Sequence, residues 1–226
     1  GRLFLDFLAG PARQAEALYV LGDLFEYWAG DDDLDDPFNA KICAGLQRLS
    51  QSDVPLFFMA GNRDFLAGDG FASKAGLTLL PDPALVEIAG ASVLLMHGDT
   101  LCTDDDAYQM FRTEVRSPEW RKSFLALPLD QRKAKIEALR QESEAQKRAK
   151  PAEIMDVNPA AVLQVLTSHR CTRLIHGHTH RPALHRLAVA GEACERWVLP
   201  DWYESGGYLA CDASGCRLLE WPPAAV

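Results

Sequence analysis

Four short apolar runs in this chain each stop abruptly in a polar turn containing glycine, and that rhythm limits what the chain can fold into. Residues 17–21 run into Gly22-Asp23, and residues 56–60 run into Gly61-Asn62-Arg63-Asp64. Residues 92–96 run into His97-Gly98-Asp99, and residues 173–175 run into His176-Gly177-His178. Short apolar segments bounded by glycine suit strands buried on both faces better than helices. Between the first two runs, residues 38–52 place Ile42, Leu46 and Leu49 at helical spacing. Residues 156–169 read as another helix, with Val162, Leu163, Val165 and Leu166 available for burial.

Strand, helix, strand order implies a layered α/β fold. Residues 183–189, 196–199, 207–211 and 216–221 read instead as short strands of a second, more antiparallel sheet. The expected architecture is a four-layer α-β-β-α sandwich of two stacked sheets, one domain over residues 1–226. Residues 106–150 fit neither pattern and read as a helical cap inserted after the third run. Solvated helices seldom carry an apolar cluster as dense as Phe111, Trp120, Phe124, Leu125, Leu127 and Leu129.

Charge separates the same segment. The chain carries a net -9, which argues against a nucleic-acid partner. Residues 112–150 hold eleven Lys/Arg against six Asp/Glu, a local +5 that leaves -14 elsewhere. A basic segment on an acidic body suits an anionic ligand or lipid headgroup. The six cysteines lack CxxC spacing and are expected as reduced, mostly buried thiols of a cytoplasmic protein. No run reaches the ~18 apolar residues of a membrane span, and no signal peptide is visible.

Each junction ends in a group that can bind a metal. Asp23 offers a carboxylate, Asn62 an amide oxygen, and His97, His178 and His180 imidazoles. Ligands of open α/β sheets collect at the carboxyl ends of strands, so the junctions are expected to converge at one end of a sheet. Imidazole mixed with carboxylate suits Mn, Fe or Zn. In an extended segment His178 and His180 point the same way and can reach neighbouring metals, with Asp23 as a natural bridge. Two metals roughly 3.5–4 Å apart can hold an attacking hydroxide and steady a phosphoryl oxygen. His169 and His185 sit at no glycine-flanked junction and read as packing or surface residues; His176 reads as structural.

Gly22-Asp23, Gly61-Asn62-Arg63-Asp64, His97-Gly98-Asp99 and Gly177-His178-Thr179-His180 resemble, in order and spacing, four of the blocks of calcineurin-like metallophosphoesterases. That family opens with an Asp-x-His block on its first strand. Residues 1–10 already look like the helix that follows it, so the block is expected to precede Gly1. One metal is then well furnished by Asp23, Asn62, His97 and His178, and the other has Asp23 and His180. More narrowly, residues 21–26, 61–66, 97–105, 154–158 and 176–182 resemble the UDP-2,3-diacylglucosamine diphosphatase family of lipid A synthesis.

That resemblance implies hydrolysis of the pyrophosphate of UDP-2,3-diacylglucosamine to UMP and 2,3-diacylglucosamine 1-phosphate, lipid X. It also implies attack of a metal-bound hydroxide on the α-phosphorus, two divalent metals with manganese preferred, and a peripheral position on the cytoplasmic face of the inner membrane. Asp23, Asn62, Arg63 and His97 would be catalytic, with Arg63 gripping phosphate beside Asn62. Asn62, Arg63, Asp105, Tyr108, Arg140, Ser143, Lys150 and His178 fall at substrate-contacting positions, and the apolar cap would hold the acyl chains. Two rivals stay open. One is another phosphodiesterase or nucleotide pyrophosphatase on this scaffold; the other is a non-catalytic scaffold that binds protein partners. The oligomeric state is not legible.

Overall fold

The computed structural model describes residues 1–149 and 154–223. The first two apolar runs form strands β1 (Leu18–Val20) and β2 (Leu56–Met59), joined by β3 (Thr78–Leu80) in a parallel sheet of order β1-β2-β3. Helices α1 (Arg2–Ala9), α2 (Pro37–Ser50) and α3 (Asp69–Ala75) cover it. Helix α2 begins where it does because the Asp36 carboxylate accepts from the backbone N–H groups of Phe38 and Asn39, with Pro37 at the first helical position.

A second sheet starts with the hairpin β4 (Ala84–Ile88) and β5 (Ala91–Met96). Three helices follow it in the chain: α4 (Asp106–Val115), α5 (Pro118–Leu125) and α6 (Leu129–Ala149). Then α7 (Pro159–His169) leads to β6 (Arg173–His176), β7 (Ala183–Val189) and β8 (Glu192–Val198). Asn158 caps α7 by accepting from Ala160 and Ala161, which is why the helix starts three residues later than the expected 156. The sheet order is β4-β5-β6-β8-β7, with β5, β6 and β8 parallel and the outer strands antiparallel. A separate antiparallel pair, β9 (Gly206–Asp212) and β10 (Gly215–Trp221), closes the chain.

Strand β5 shows what stacks the layers. Val93 and Leu95 face the first sheet with Leu21, Met59, Ile175 and Trp197, while Leu94 and Met96 face α7 with Val162, Leu166 and Leu174. The two-residue period of a strand with apolar residues throughout demands cover on both sides. On the far side, Phe7, Ile42, Leu46, Phe58 and Phe71 pack helices onto the first sheet. The result is the expected α-β-β-α sandwich.

Several expectations are corrected. The tail does not form a sheet of its own: β7 and β8 join β5 and β6, and only β9 and β10 pair apart. Parallel pairing of β8 with β6 puts Trp197 beside Ile175 in the core between the sheets. The four junctions therefore come from two sheets, not one. Phe124 is buried in the main core near Phe25 and Trp28, and Trp120 stacks on it with centroids 4.5 Å apart. Trp120 and Leu127 pack against that same core instead of lining an open groove. Arg132, 2% exposed, ties α6 to the body by donating to the carbonyls of Ala29 and Leu127 and to the Asp32 carboxylate. Phe111, Leu125, Met110 and Leu139 remain exposed. Cys211 and Cys216 sit directly opposite each other in the last hairpin and form a disulfide, so the expectation of free thiols fails there. Cys43, Cys102, Cys171 and Cys194 are free and buried.

Leu94 is fully enclosed and Leu85 on the neighbouring strand is 52% exposed. Leu94→Ala should cost about 2–5 kcal/mol of unfolding free energy in a urea titration. Leu85→Ala should stay within about 0.5 kcal/mol.

Candidate metal centre

The junctions converge through close backbone approach. At Gly22, φ is +85°, and a Cβ there would lie 2.4 Å from the Gly61 nitrogen and 2.7 Å from His97 Nδ1. A Cβ on Gly61 would fall 2.3 Å from Asp23 Oδ1. Only glycine at both positions lets the two loops and the imidazole share this space.

Asp64 holds the loops together. Its buried carboxylate accepts from the backbone N–H of Gly61 at 2.7 Å, Leu24 at 2.7 Å, Asp23 at 3.2 Å and Phe25 at 3.4 Å. Burial and the neighbouring Asp23 charge push its pKa up to about 6, against the opposing pull of the Gly61 and Asp23 N–H groups and of His97. Asp64 carried no assigned role in the sequence reading. A carboxylate three residues after a strand-ending glycine was the available signal.

Asp23, His97 and His178 each present a ligand atom within 4.8 Å of one another. Asn62 Oδ1 lies 3.0 Å from His97 Nε2 and 2.9 Å from His178 Nδ1. The sequence-predicted set Asp23, Asn62, His97 and His178 is thus brought together at one point. His97 Nδ1 is 2.8 Å from the Leu21 carbonyl, so it is the nitrogen that carries the hydrogen, as the network assigns it. Nε2 then faces the Asn62 side-chain amide and the Asn62 backbone N–H, 3.4 Å away, with its lone pair turned towards Asn62 and His178. His178 is kept neutral, its pKa pushed down to about 3 by burial and then by His97, which leaves it free to coordinate. Amide oxygen, carboxylate and two imidazoles form a donor set that fits a divalent transition metal.

His180 is not in this cluster. The extended geometry expected for residues 178–180 does not occur, because φ is +65° at His178 and +54° at His180. The chain turns out of the strand after His176, and His180 Nδ1 sits 3.9 Å from Asp201 Oδ2, its ring 5.8 Å from that of Tyr203. Asp23 also has a positive φ, +56°. Non-glycine residues in this region carry strain that concentrates at functional sites. His176, read as structural, is buried: Arg196 donates to its Nε2 at 3.1 Å, its Nδ1 faces the Gly177 carbonyl, and burial brings its pKa down to about 4. His169 bonds the Val165 carbonyl in the last turn of α7.

Around the cluster, the Arg63 N–H donates to Asp23 Oδ1 at 3.0 Å, and its Nε lies 3.7 Å from Asp23 Oδ2. Arg63 Nη1 reaches Glu26 at 2.5 Å, and Arg140 Nη2 from α6 reaches the same Glu26 oxygen at 3.0 Å. Tyr203 lies under the Arg63 guanidinium at 5.8 Å. Glu26, Asp201 and Tyr203 were missed in the sequence, having no glycine-flanked marker. Asp105 caps α4 by accepting from the Tyr108 N–H at 3.1 Å. The Tyr108 ring stands 5.9 Å from that of His178. Asp99, directly behind His97, is fully enclosed. Burial would raise its pKa, but His97, Arg112 and Arg116 hold it at about 2. Ser143 is exposed on α6, and Lys150 lies outside the described residues.

The calcineurin-like phosphoesterase family model matches residues 2–182. The chain belongs to the calcineurin-like phosphoesterases, a family whose chemistry uses divalent metal ions. Within it, the chain is 52% identical over 225 residues to a protein of Aromatoleum aromaticum named UDP-2,3-diacylglucosamine hydrolase, covering 100% of this chain and 89% of that one. Proteins of the same name from Enterobacter sp. and Escherichia coli are 48% identical over 219 residues, covering 97% of this chain and 91% of each.

Asp64→Asn should lower Mn2+ affinity roughly 10–100-fold in isothermal titration, the scale seen when a supporting partner of a ligand is removed. Unchanged affinity would mean the loops hold their positions without that carboxylate.

Proposed function

We propose that this chain hydrolyses the pyrophosphate bond of UDP-2,3-diacylglucosamine, releasing UMP and 2,3-diacylglucosamine 1-phosphate. The observation that carries this reading is convergence. A carboxylate, an amide and two imidazoles meet at one point, and two guanidinium groups, Arg63 from the body and Arg140 from α6, meet on Glu26 beside it. The match to the named hydrolase spans the whole chain, the inserted helices included, which supports the lipid substrate over a simple dinucleotide.

Asp23, Asn62, His97 and His178 would hold the metal, a divalent transition metal by this donor set and manganese by the resemblance to the diphosphatase family, with His180 beside Asp201 available to a second ion. A divalent ion there supplies Lewis acidity: it lowers the pKa of water and offsets diphosphate charge. The remaining work falls to side chains. The Leu21 carbonyl fixes the His97 ring, and Asp64 fixes the backbone of Asp23. Arg63 is steered by Asp23 and Glu26 towards where the α-phosphate would sit, a bidentate grip that lysine cannot copy. Arg140, with Ser143 three residues on along α6 and Lys150 beyond, would meet the second phosphate and sugar. Water adds to the α-phosphorus as its bond to the bridging oxygen breaks, and UMP and lipid X leave.

The exposed Met110, Phe111, Leu125 and Leu139 on α4–α6 supply apolar surface for acyl chains, with basic residues of the same segment near them. Among the described residues no helix is long and apolar enough to cross a membrane. Such a face supports peripheral contact with an anionic inner-membrane surface on its cytoplasmic side.

The test is hydrolysis of UDP-2,3-diacylglucosamine, followed by mass spectrometry of UMP and lipid X, against simple dinucleotides. Chelation should abolish turnover and Mn2+ should restore it. Arg63→Lys should lower kcat/KM about 10–100-fold, the scale of a lost charge-assisted pair. Preference for the dinucleotide would overturn the assignment.

A further inference from the structure

The buried carboxylate behind His97 has no part in the scheme above, yet more of the inserted segment converges on it than on any other described group of the body. We propose that Asp99 is a positioning residue: it fastens α4 to both metal-ligand loops and sets the Tyr108 ring over the centre.

Asp99 Oδ2 accepts from the Tyr108 hydroxyl at 2.8 Å and from Arg112 Nε at 2.7 Å, with Arg116 Nη2 3.6 Å away. Tyr108 and Arg112 are four apart, so one face of α4 meets one oxygen. Arg116 Nη2 also donates to the Gly61 carbonyl at 2.9 Å, one residue before Asn62, while its guanidinium lies over the Phe65 ring at 5.6 Å. The backbone is held as well: the Gln109 amide donates to the carbonyls of Asp99 at 2.8 Å and Cys102 at 3.0 Å. One carboxylate thereby links the His97 turn, helix α4 and the Asn62 loop.

Stability alone does not account for this arrangement. A fully buried ionic cluster is often matched or bettered by apolar residues of similar volume. What it does impose is one geometry, because a hydroxyl and a guanidinium must both reach a single buried oxygen. Oδ2 carries that connection, and Oδ1 has no hydrogen-bond partner among the described residues. The network also decides what Tyr108 can offer. Its one O–H is committed to Asp99, so a ligand meets the ring that stands 5.9 Å from His178 and a phenolic oxygen that can only accept.

This inference deepens the proposed function, and its test has one arm independent of it. In the full Mn2+-loaded chain, Tyr108→Phe, Arg112→Gln and Asp99→Asn should each speed hydrogen exchange of the α4 amides, whatever the substrate. With UDP-2,3-diacylglucosamine, Tyr108→Phe should raise KM roughly fivefold, the worth of about one hydrogen bond, with a smaller change in kcat. Asp99→Asn combined with Tyr108→Phe should be no worse than Asp99→Asn alone, since both cut one connection. Should Asp99→Asn fail to fold, Tyr108→Phe and Arg112→Gln carry the test by the same readings. Unchanged exchange in α4, or additive effects on KM, would overturn the anchor. If the wild-type chain leaves the UDP-lipid intact, the proposed reaction fails while the exchange arm still decides the anchor.

Discussion

The Asp64 carboxylate, enclosed at the carboxyl end of the first sheet, receives N–H groups from both loops that leave β1 and β2. The donors are backbone amides, whose positions hardly vary once the strands pair, so the loops are set relative to each other before any side chain is considered. Gly22 and Gly61 make that approach possible by removing the Cβ atoms that would collide. Asp23 and Asn62 then project from loops already locked together. This is how a site assembled from short turns acquires the rigidity usually reserved for helices and strands.

The second sheet supplies the other half. His97 leaves β5 and His178 follows β6, strands that pair in parallel and so end side by side. Leu95 and Ile175 on those strands pack against Leu21 and Met59 of the first sheet. Hydrophobic burial between the sheets thus sets the distance between two halves of a polar site. The Leu21 carbonyl that accepts from His97 Nδ1 crosses the same seam. The inserted helices are bound by different means: Arg132 to the Trp28–Asp32 region, Phe124 into the core, and α4 through Asp99. The loops that carry Asn62 and His97 and the inserted helices therefore share supports.

Much of the centre was legible because its signals are local. A strand-ending glycine beside Asp, Asn or His marks a backbone turn with a potential donor on it, and Asp23, Asn62, His97 and His178, which the fold brings together, all carry that mark. The geometry of His178 and His180 was not legible: regular alternation is the default for an extended segment, and two positive φ angles are decided by what packs around the turn. Trp120 and Phe124 misled for a related reason, since an aromatic cluster on a helix looks the same whether it faces a ligand or a core. Glu26 and Tyr203 act only through partners tens of residues away, and Asp99 through Tyr108 and Arg112 of the helix that follows it.

Composition, periodicity and residue order by themselves determined the layered α/β class, the strand-end donor groups and the distinct character of residues 106–150. These follow from short-range physics: apolar period, turn chemistry and donor type. Tertiary structure alone decided that the ligands come from two sheets, that β7 and β8 join the second sheet, that Cys211 meets Cys216, and that His180 stands apart by Asp201. Those outcomes depend on which surfaces bury one another. Burial is a collective quantity that no local stretch of chain encodes.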